Sequence, residues 1–449
     1  MLILNNLLIN KNSQKYQPFL LNLLSGRRRL LSQDELIMVY NLKANKELSE
    51  YEVELYNVLI AEKQFMTEKY RNYIEKKLDE NNFFIKNEIA DDYSFSIELT
   101  RDCNMRCPYC YVKDRLNSNA SMTKAYIDSI YDFYLKYCDD ITKIINTKNI
   151  RITGGEPLIN DESVNLINYI SEKWYNAKIS LFTNGINLLK YYDKLPISKL
   201  GEVDISLDGI KKIHIDRRYN KSNRNYNIYD NIIYGIKKLI NDEVNVIIKT
   251  VVDKDSYKYI LEFKKFLEEV GILDSKYCEW AISFTLDFQN ELDIDEKYNN
   301  IEEIEEINKY LAKNKIGSIG FLSSSNLFRV LNRPKDQVYY PRIYRCGIKK
   351  LSKCYFGCNG NIYYCDCIDE NRGIIGTFYP YADLKKFEIS KLLNRNIMTN
   401  EKCKKCCYKF ICLGGCPLSS IAKDRNESCG IFKDEKILDN LEFDYNSIK

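Results

Sequence analysis

The sequence predicts an α/β fold of parallel strand–helix–strand units, with a small α+β module before it and a cysteine-rich domain after it. Three observations carry this reading. Strand-like and helix-like segments alternate from residue 93 to 285. Polar motifs, Gly154-Gly155-Glu156-Pro157, Thr183-Asn184-Gly185 and Asp208-Gly209, stand just after three of the strands, where such barrels gather their active sites. The 16 cysteines are also unevenly placed, with none before residue 93 and 11 between 346 and 429.

Residues 1–92 open with short apolar runs. Ser49 followed three residues later by Glu52 reads as a capping box that starts a helix, with apolar positions 53, 55, 56, 58, 59 and 60 on its buried face. A second helix is predicted over 66–78. Such a module, of winged-helix type, either grips a peptide leader or only packs on the strand–helix units. Residues 93–330 hold these repeating units. Tyr93–Thr100 alternates as a strand and is followed by a helix over 122–137, with Thr123 as its cap. Strands are predicted at Asn149–Thr153, Lys178–Phe182, Val203–Leu207, Asn245–Val252 and Glu279–Thr285, with helices near 162–175, 228–241 and 256–269. An acidic helix, Ile301 to Ala312, presents a solvated face and leads into residues 331–449.

Composition excludes several classes. A net charge of +4 over 449 residues is too weak to argue for nucleic acid or a membrane surface. No apolar run approaches the ~18 residues of a membrane span. The N-terminus has no basic segment followed by a cleavage site, so the expected compartment is the cytoplasm, where clustered thiols speak for metal or redox chemistry. A single histidine, His214, rules out a multi-histidine metal site.

The chemistry centres on Cys103-Asn-Met-Arg-Cys107-Pro-Tyr-Cys110, directly after the first strand. Cubane clusters take four cysteine thiolates, so three leave one iron open for a ligand. A half-built zinc site is the alternative, although zinc sites supply a second C-x2-C pair. The C-x3-C-x2-C spacing, followed by Gly154-Gly155-Glu156-Pro157, resembles the signature of the radical S-adenosylmethionine (SAM) enzymes. The resemblance implies a partial (β/α)6 TIM-like barrel with a 4Fe-4S cluster on Cys103, Cys107 and Cys110. SAM would bind at Tyr109, Gly154, Gly155, Glu156, Ser206 and Arg218. Glu156 would accept from the SAM ammonium, and Ser206 would contact its ribose or methionyl part. Arg218, or its neighbour Arg217, would grip its carboxylate, since His214-Ile-Asp-Arg-Arg218 displaces the family's aspartate by one position.

In the last domain Cys346, Gly360-x4-Cys365, Cys403-x2-Cys406-x5-Cys412-x3-Cys416 and Cys429 resemble the seven-cysteine SPASM signature. That resemblance implies up to two auxiliary 4Fe-4S clusters. The outer one would sit on Cys403, Cys406, Cys412 and Cys429. The inner one would sit on Cys346, Cys365 and Cys416, with Cys354, then Cys358, as candidates for a fourth ligand. A zinc ribbon on Cys403, Cys406, Cys412 and Cys416 is the alternative. Cys138 and Cys278 read as buried structural residues. Asp366, next to Cys365, either acts as a base, as its counterpart does in sulfatase-maturing relatives, or orients the cluster loop.

The expected protein is thus a peptide maturase, similar to clostridial maturases of Cys-rich peptides that form thioether links. A flavodoxin- or ferredoxin-type protein would reduce it. The alternatives are an anaerobic sulfatase-maturing enzyme, a non-catalytic Fe–S electron carrier and a zinc-stabilised peptide-binding module.

Overall fold

The computed structural model describes residues 6–9, 16–23, 27–62, 94–110, 120–137, 147–218, 227–284, 354–366, 373–394, 400–406 and 408–415, with single residues and pairs between them. The helices predicted over 66–78 and 301–312 lie largely outside the described residues. Cys138, Cys346, Cys367, Cys407, Cys416 and Cys429 lie wholly outside them.

At the N-terminus, β1 (Asn6–Ile9), β2 (Phe19–Asn22) and β3 (Arg28–Leu30) form an antiparallel sheet in chain order. Helices α1 (Gln33–Lys43) and α2 (Glu50–Ala61) come next. Both start with full capping boxes, Ser32 with Glu35 and the predicted Ser49 with Glu52. Leu8, Leu20, Leu31, Met38, Val39, Leu59 and Phe65 form the core of this module. The predicted apolar face of α2 is narrower than expected. Leu59 is fully buried, whereas Val53 and Val58 stand exposed, because only one stripe of so short a helix meets the sheet.

The barrel strands are β4 (Ser94–Thr100), β5 (Asn149–Gly154), β6 (Lys178–Thr183), β7 (Leu200–Ser206), β8 (Asn245–Val252) and β9 (Cys278–Phe284). They pair in chain order and all in parallel. The intervening helices are α3 (Lys124–Tyr137), α4 (Asp161–Lys173), α5 (Leu188–Tyr191), α6 (Lys211–Arg217), α7 (Asn227–Asn241) and α8 (Ile260–Glu269). Six parallel strands with helical crossovers form the predicted α/β barrel sheet. Strand alternation sorts its faces. Phe95, Ile97, Leu99, Ile150, Ile152, Ile179, Leu181, Val203, Ile205, Val246 and Ile248 pack into the helix-covered core. The opposite face carries Glu98, Arg151, Asp204 and Lys249, with Lys249 Nζ 2.9 Å from Asp204 Oδ1.

The cysteine-rich region begins as a continuation of this sheet. Strand β10 (Tyr355–Phe356) runs parallel to β4, and β11 (Asn361–Tyr363), β12 (Ile374–Thr377) and β13 (Asp383–Leu384) extend it antiparallel, giving ten strands among the described residues. Phe356 seals the join, lying edge-on to Phe95, Phe133 and Tyr134 at ring distances of 5.7, 5.6 and 5.7 Å.

Candidate active site

The three thiols sit on the loop that leaves the C-terminal end of β4. Thr100 anchors its start, sharing a 2.7 Å hydroxyl contact with Ser121 and accepting from Asp102 N–H at 3.1 Å. Cys103, Cys107 and Cys110 are half-buried, and none forms a disulfide. Burial pushes the Cys103 thiol up to about 12 and the Cys107 thiol up to about 11. A cation that holds them as thiolates must therefore displace their protons. Met105 N–H points at Cys103 Sγ (3.4 Å), and Tyr408 N–H points in the same i to i+2 manner at Cys406 Sγ (3.4 Å). Such N–H···S bonds stabilise metal-bound thiolates. Among the described residues no three Cys, His, Asp or Glu side chains converge to hold a single ion. Thiolates on separate irons of a cubane stand further apart than ligands of one ion. Three thiols on one loop, with an amide aimed at one sulfur, are the kind of donor set such a cluster takes.

At Gly154 and Gly155 the backbone is already closely approached within the protein. What approaches their backbone is the cysteine loop itself. Gly155 N–H donates to Thr100 O at 2.7 Å, and Glu156 N–H donates to Asp102 O at 2.8 Å. A Cβ on Gly154 would fall 2.3 Å from Thr100 O, and one on Gly155 2.3 Å from Asp102 O. Glu156 also differs from an open acceptor. It is fully buried, with Oε1 accepting from Leu158 N–H (2.9 Å) and Thr183 Oγ1–H (2.7 Å), and Oε2 from Asn184 N–H (2.7 Å). Burial raises its pKa while these bonds hold it down. Its carboxylate ties β5 to β6, because a buried charge gathers the nearest donors. Asn184 in turn donates to Asn104 of the cysteine loop at 2.8 Å.

Ser206 ends β7, half-buried beside Lys249 of β8. Two residues on, Asp208, which the sequence marked only as part of a polar motif after a strand, is a hub. Its Oδ2 accepts from Tyr109 O–H and from Arg218 Nε at 2.9 Å, and its Oδ1 accepts from Val251 N–H at 3.1 Å. The two adjacent arginines separate in role. Arg217 directs Nη1 to Asp253 and Nη2 to Val251 O, while its Nε stands 3.7 Å from Asp208 Oδ2. Arg218 donates Nε to Asp208, and among the described residues its outer nitrogens have no protein partner. Burial opposes the Arg218 charge, but Asp208 and Tyr109 hold it firmly protonated.

His214 Nδ1 accepts from Asp208 N–H at 3.2 Å. Burial pulls this imidazole from its ordinary 6.5 down to about 4. An unfolded chain takes up the proton near pH 6.5 and the folded chain only near pH 4. Stability from this group is therefore complete above pH 6.5 and lost as pH falls toward 4. We expect about 2–3 kcal/mol less stability at pH 4.5 than at pH 7 from this residue. Urea unfolding of the wild type and His214→Gln at both pH values checks this. An equal pH dependence in the two chains would refute it.

In the C-terminal region, Cys365 Sγ lies 3.6 Å from Asp366 Oδ1, and Asp366 Oδ2 lies 3.4 Å from Arg151 Nη1 of β5. Arg151 stacks on Phe182 at 4.1 Å. The Cys365 loop thus reaches the inner face of the barrel sheet. Cys354 falls elsewhere. Its carbonyl accepts from Ser96 N–H at 2.9 Å, and strand alternation puts its side chain on the helix-covered face with Phe356. Burial pushes its thiol up to about 12. Cys358 Sγ lies 3.4 Å from Glu98 Oε2, on the same face as Arg151. Cys358, in the turn that follows β10, also has its Sγ 3.4 Å from Ala120 O, so the two candidates for a fourth inner ligand have different surroundings. Cys403 and Cys412 lie on two one-turn helices, Glu401–Lys404 and Lys409–Cys412, with Cys406 between them and Asn400 Oδ1 accepting from Cys403 N–H at 2.9 Å. Cys278 lies on β9, partly buried against the core.

A parallel barrel sheet carrying three thiols at its C-terminal rim defines a class of domain that presents an iron–sulfur cluster with one iron open. Residues 97–267 match the model of the radical SAM superfamily, and this segment is a radical SAM domain. The cofactors of that family are a 4Fe-4S cluster and SAM. The chain is 34% identical over 168 residues to GTP 3',8-cyclase of Clostridium perfringens (strain 13 / Type A), covering 36% of this chain and 47% of that one. It is 29% identical over 181 residues to the probable GTP 3',8-cyclase of Pyrococcus horikoshii, covering 39% and 53%. It thus spans about half the length of the curated relatives it matches. Among solved structures, native anSMEcpe with bound AdoMet aligns at TM-score 0.54 and 18% identity, over 77% of this chain and 95% of that one. Streptococcus suis SuiB bound to precursor peptide SuiA aligns at TM-score 0.51 and 17% identity, over 98% and 99%. At such identities the likeness is one of fold. Among the described residues, no helix is long and apolar enough to cross a membrane.

Proposed function

We propose that this chain is a radical SAM enzyme that modifies a ribosomally made peptide, installing a thioether or another crosslink. The observation that carries the reading is the three-thiol loop, laced to the ends of β5, β6 and β7, on a sheet that a cysteine-rich region continues. The cluster, when bound and reduced, cleaves SAM to supply a 5'-deoxyadenosyl radical. The chain's own residues hold and orient. Arg218 offers its outer nitrogens to the SAM carboxylate, which favours it over Arg217 for that role. Ser206 and the backbone from Gly154 to Glu156 line the rest of the SAM site. The C-terminal cysteines would hold auxiliary clusters, which would supply an acceptor for the electron left over when the product forms. The reductant is a flavodoxin- or ferredoxin-type protein in the cytoplasm.

Two observations support a peptide over a nucleotide. The chain carries an N-terminal module with its own capped helices and core. The fold it shares with SuiB is found bound to a precursor peptide there. The cyclases are similar over 36% of this chain, which favours shared SAM chemistry more than a shared substrate.

Anaerobic reconstitution is expected to give about twelve irons per chain, with deoxyadenosine release on adding SAM and dithionite. About four irons would remove the auxiliary clusters from the proposal. No deoxyadenosine, with or without peptides made from the neighbouring genes, would remove the activity. Asp366→Asn is expected to keep deoxyadenosine release and cut peptide product at least tenfold. Unchanged product would leave Asp366 as the tie between the Cys365 loop and Arg151.

A further inference from the structure

We propose that Asp208 is the positioning residue that locks the cysteine loop to the SAM-gripping arginine, acting through Tyr109. The inference rests on the radical SAM reading of the site and deepens it.

Tyr109 stands between the second and third thiols. Its phenol reaches Asp208, 99 positions along the chain. Asp208 is only 2% exposed, so its charge depends on the groups around it. Those groups come from separate parts of the molecule: Tyr109 from the cysteine loop, Arg218 from the end of α6, Val251 from β8, and His214 through the Asp208 backbone. The arginines also flank the Tyr109 ring, with guanidinium carbons 4.9 Å (Arg217) and 5.4 Å (Arg218) from its centre. Arg217 Nε also stands 3.7 Å from Asp208 Oδ2, and its Nη1 is pinned by Asp253. One buried carboxylate therefore sets the Tyr109 phenol and the Arg218 Nε at the same oxygen. The backbone that carries Cys107 and Cys110 cannot move without disturbing the guanidinium meant for SAM. The arrangement couples cluster position to SAM position.

Tyr109→Phe deletes only the hydroxyl link. Asp208→Asn keeps the shape but loses the charge that Arg218 faces. Tyr192→Phe is the control: it deletes a phenol–carboxylate bond of the same kind, 2.7 Å to Asp242, at the opposite end of β7. In the reconstituted full chain, Tyr109→Phe and Asp208→Asn should keep their iron but weaken SAM binding about tenfold by equilibrium dialysis. They should also blunt the change that SAM makes in the electron paramagnetic resonance spectrum of the reduced cluster. In the full chain before reconstitution, both should speed iodoacetamide labelling of Cys107 and Cys110, read by mass spectrometry. Tyr192→Phe should change none of these.

Unchanged labelling, affinity and spectrum in Tyr109→Phe would overturn the proposal, even where Asp208→Asn does not fold. A wild type that takes up neither iron nor SAM would instead overturn the functional reading. The labelling rates would still decide whether Asp208 holds the loop.

Discussion

Replacing Cys103, Cys107 and Cys110 together with Ala is expected to bring deoxyadenosine formation down to the level of a protein-free control. It should also remove about four irons per chain while leaving those of the C-terminal region. The thiols are the loop's thiolate donors, and in the proposed cluster each would bind a separate iron, so no neighbouring side chain would replace them. His214 is the chain's one histidine and is buried under Asp208, with Nδ1 already accepting a hydrogen bond. The fold should survive, because the thiols are half-buried on a loop whose own bonds run through Thr100, Asp102 and Asn104. Unfolding of the metal-free variant should shift by no more than about 1–2 kcal/mol. Cys278→Ala, outside the motif, should keep full cleavage. Retained cleavage in the triple variant would sink the radical SAM assignment of this loop.

Gly155→Ala is expected to disable the site by a different route. Its Cβ would meet Asp102 O at 2.3 Å and the Asp102 carbonyl carbon at 2.7 Å, both backbone atoms that no rotamer change can move aside. The loop must lift, and with it go the bonds from Gly155 N–H to Thr100 O and from Glu156 N–H to Asp102 O. A loss of at least about 3 kcal/mol is expected in denaturant unfolding, together with loss of SAM cleavage. Gly271→Ala is the comparison. Gly271 has φ of +72° and nothing within 4 Å of the added Cβ, so only backbone strain of about 1 kcal/mol applies. Equal effects at the two positions would show that the close approach at Gly155 does not govern the site.

Much of this protein was legible without its fold, and the legible parts are local. Strand and helix periods arise within a few residues, so the alternation from Tyr93 to Thr285 was readable, and the barrel strands were found within about three residues at each end. Ser49 and Glu52 announced a capping box because its geometry spans four residues. The spacing of Cys103, Cys107 and Cys110 announced a cluster loop because one short segment carries all three donors.

What only the tertiary structure decided concerns partners distant in sequence. Glu156 and Thr183 are 27 positions apart, Tyr109 and Asp208 are 99 apart, and Cys358 and Glu98 are 260 apart. No local pattern marks such pairs. A buried charge takes whichever donors the packed chain brings within reach, and that turned Glu156 into a tie and Asp208 into a hub. Nor does a two-residue strand such as Tyr355–Phe356 have a period to read. Its parallel seat beside β4 was set by Phe356 entering the aromatic core, and that seat put Cys354 on the helix-covered face and brought Cys358, in the turn that follows, to Glu98.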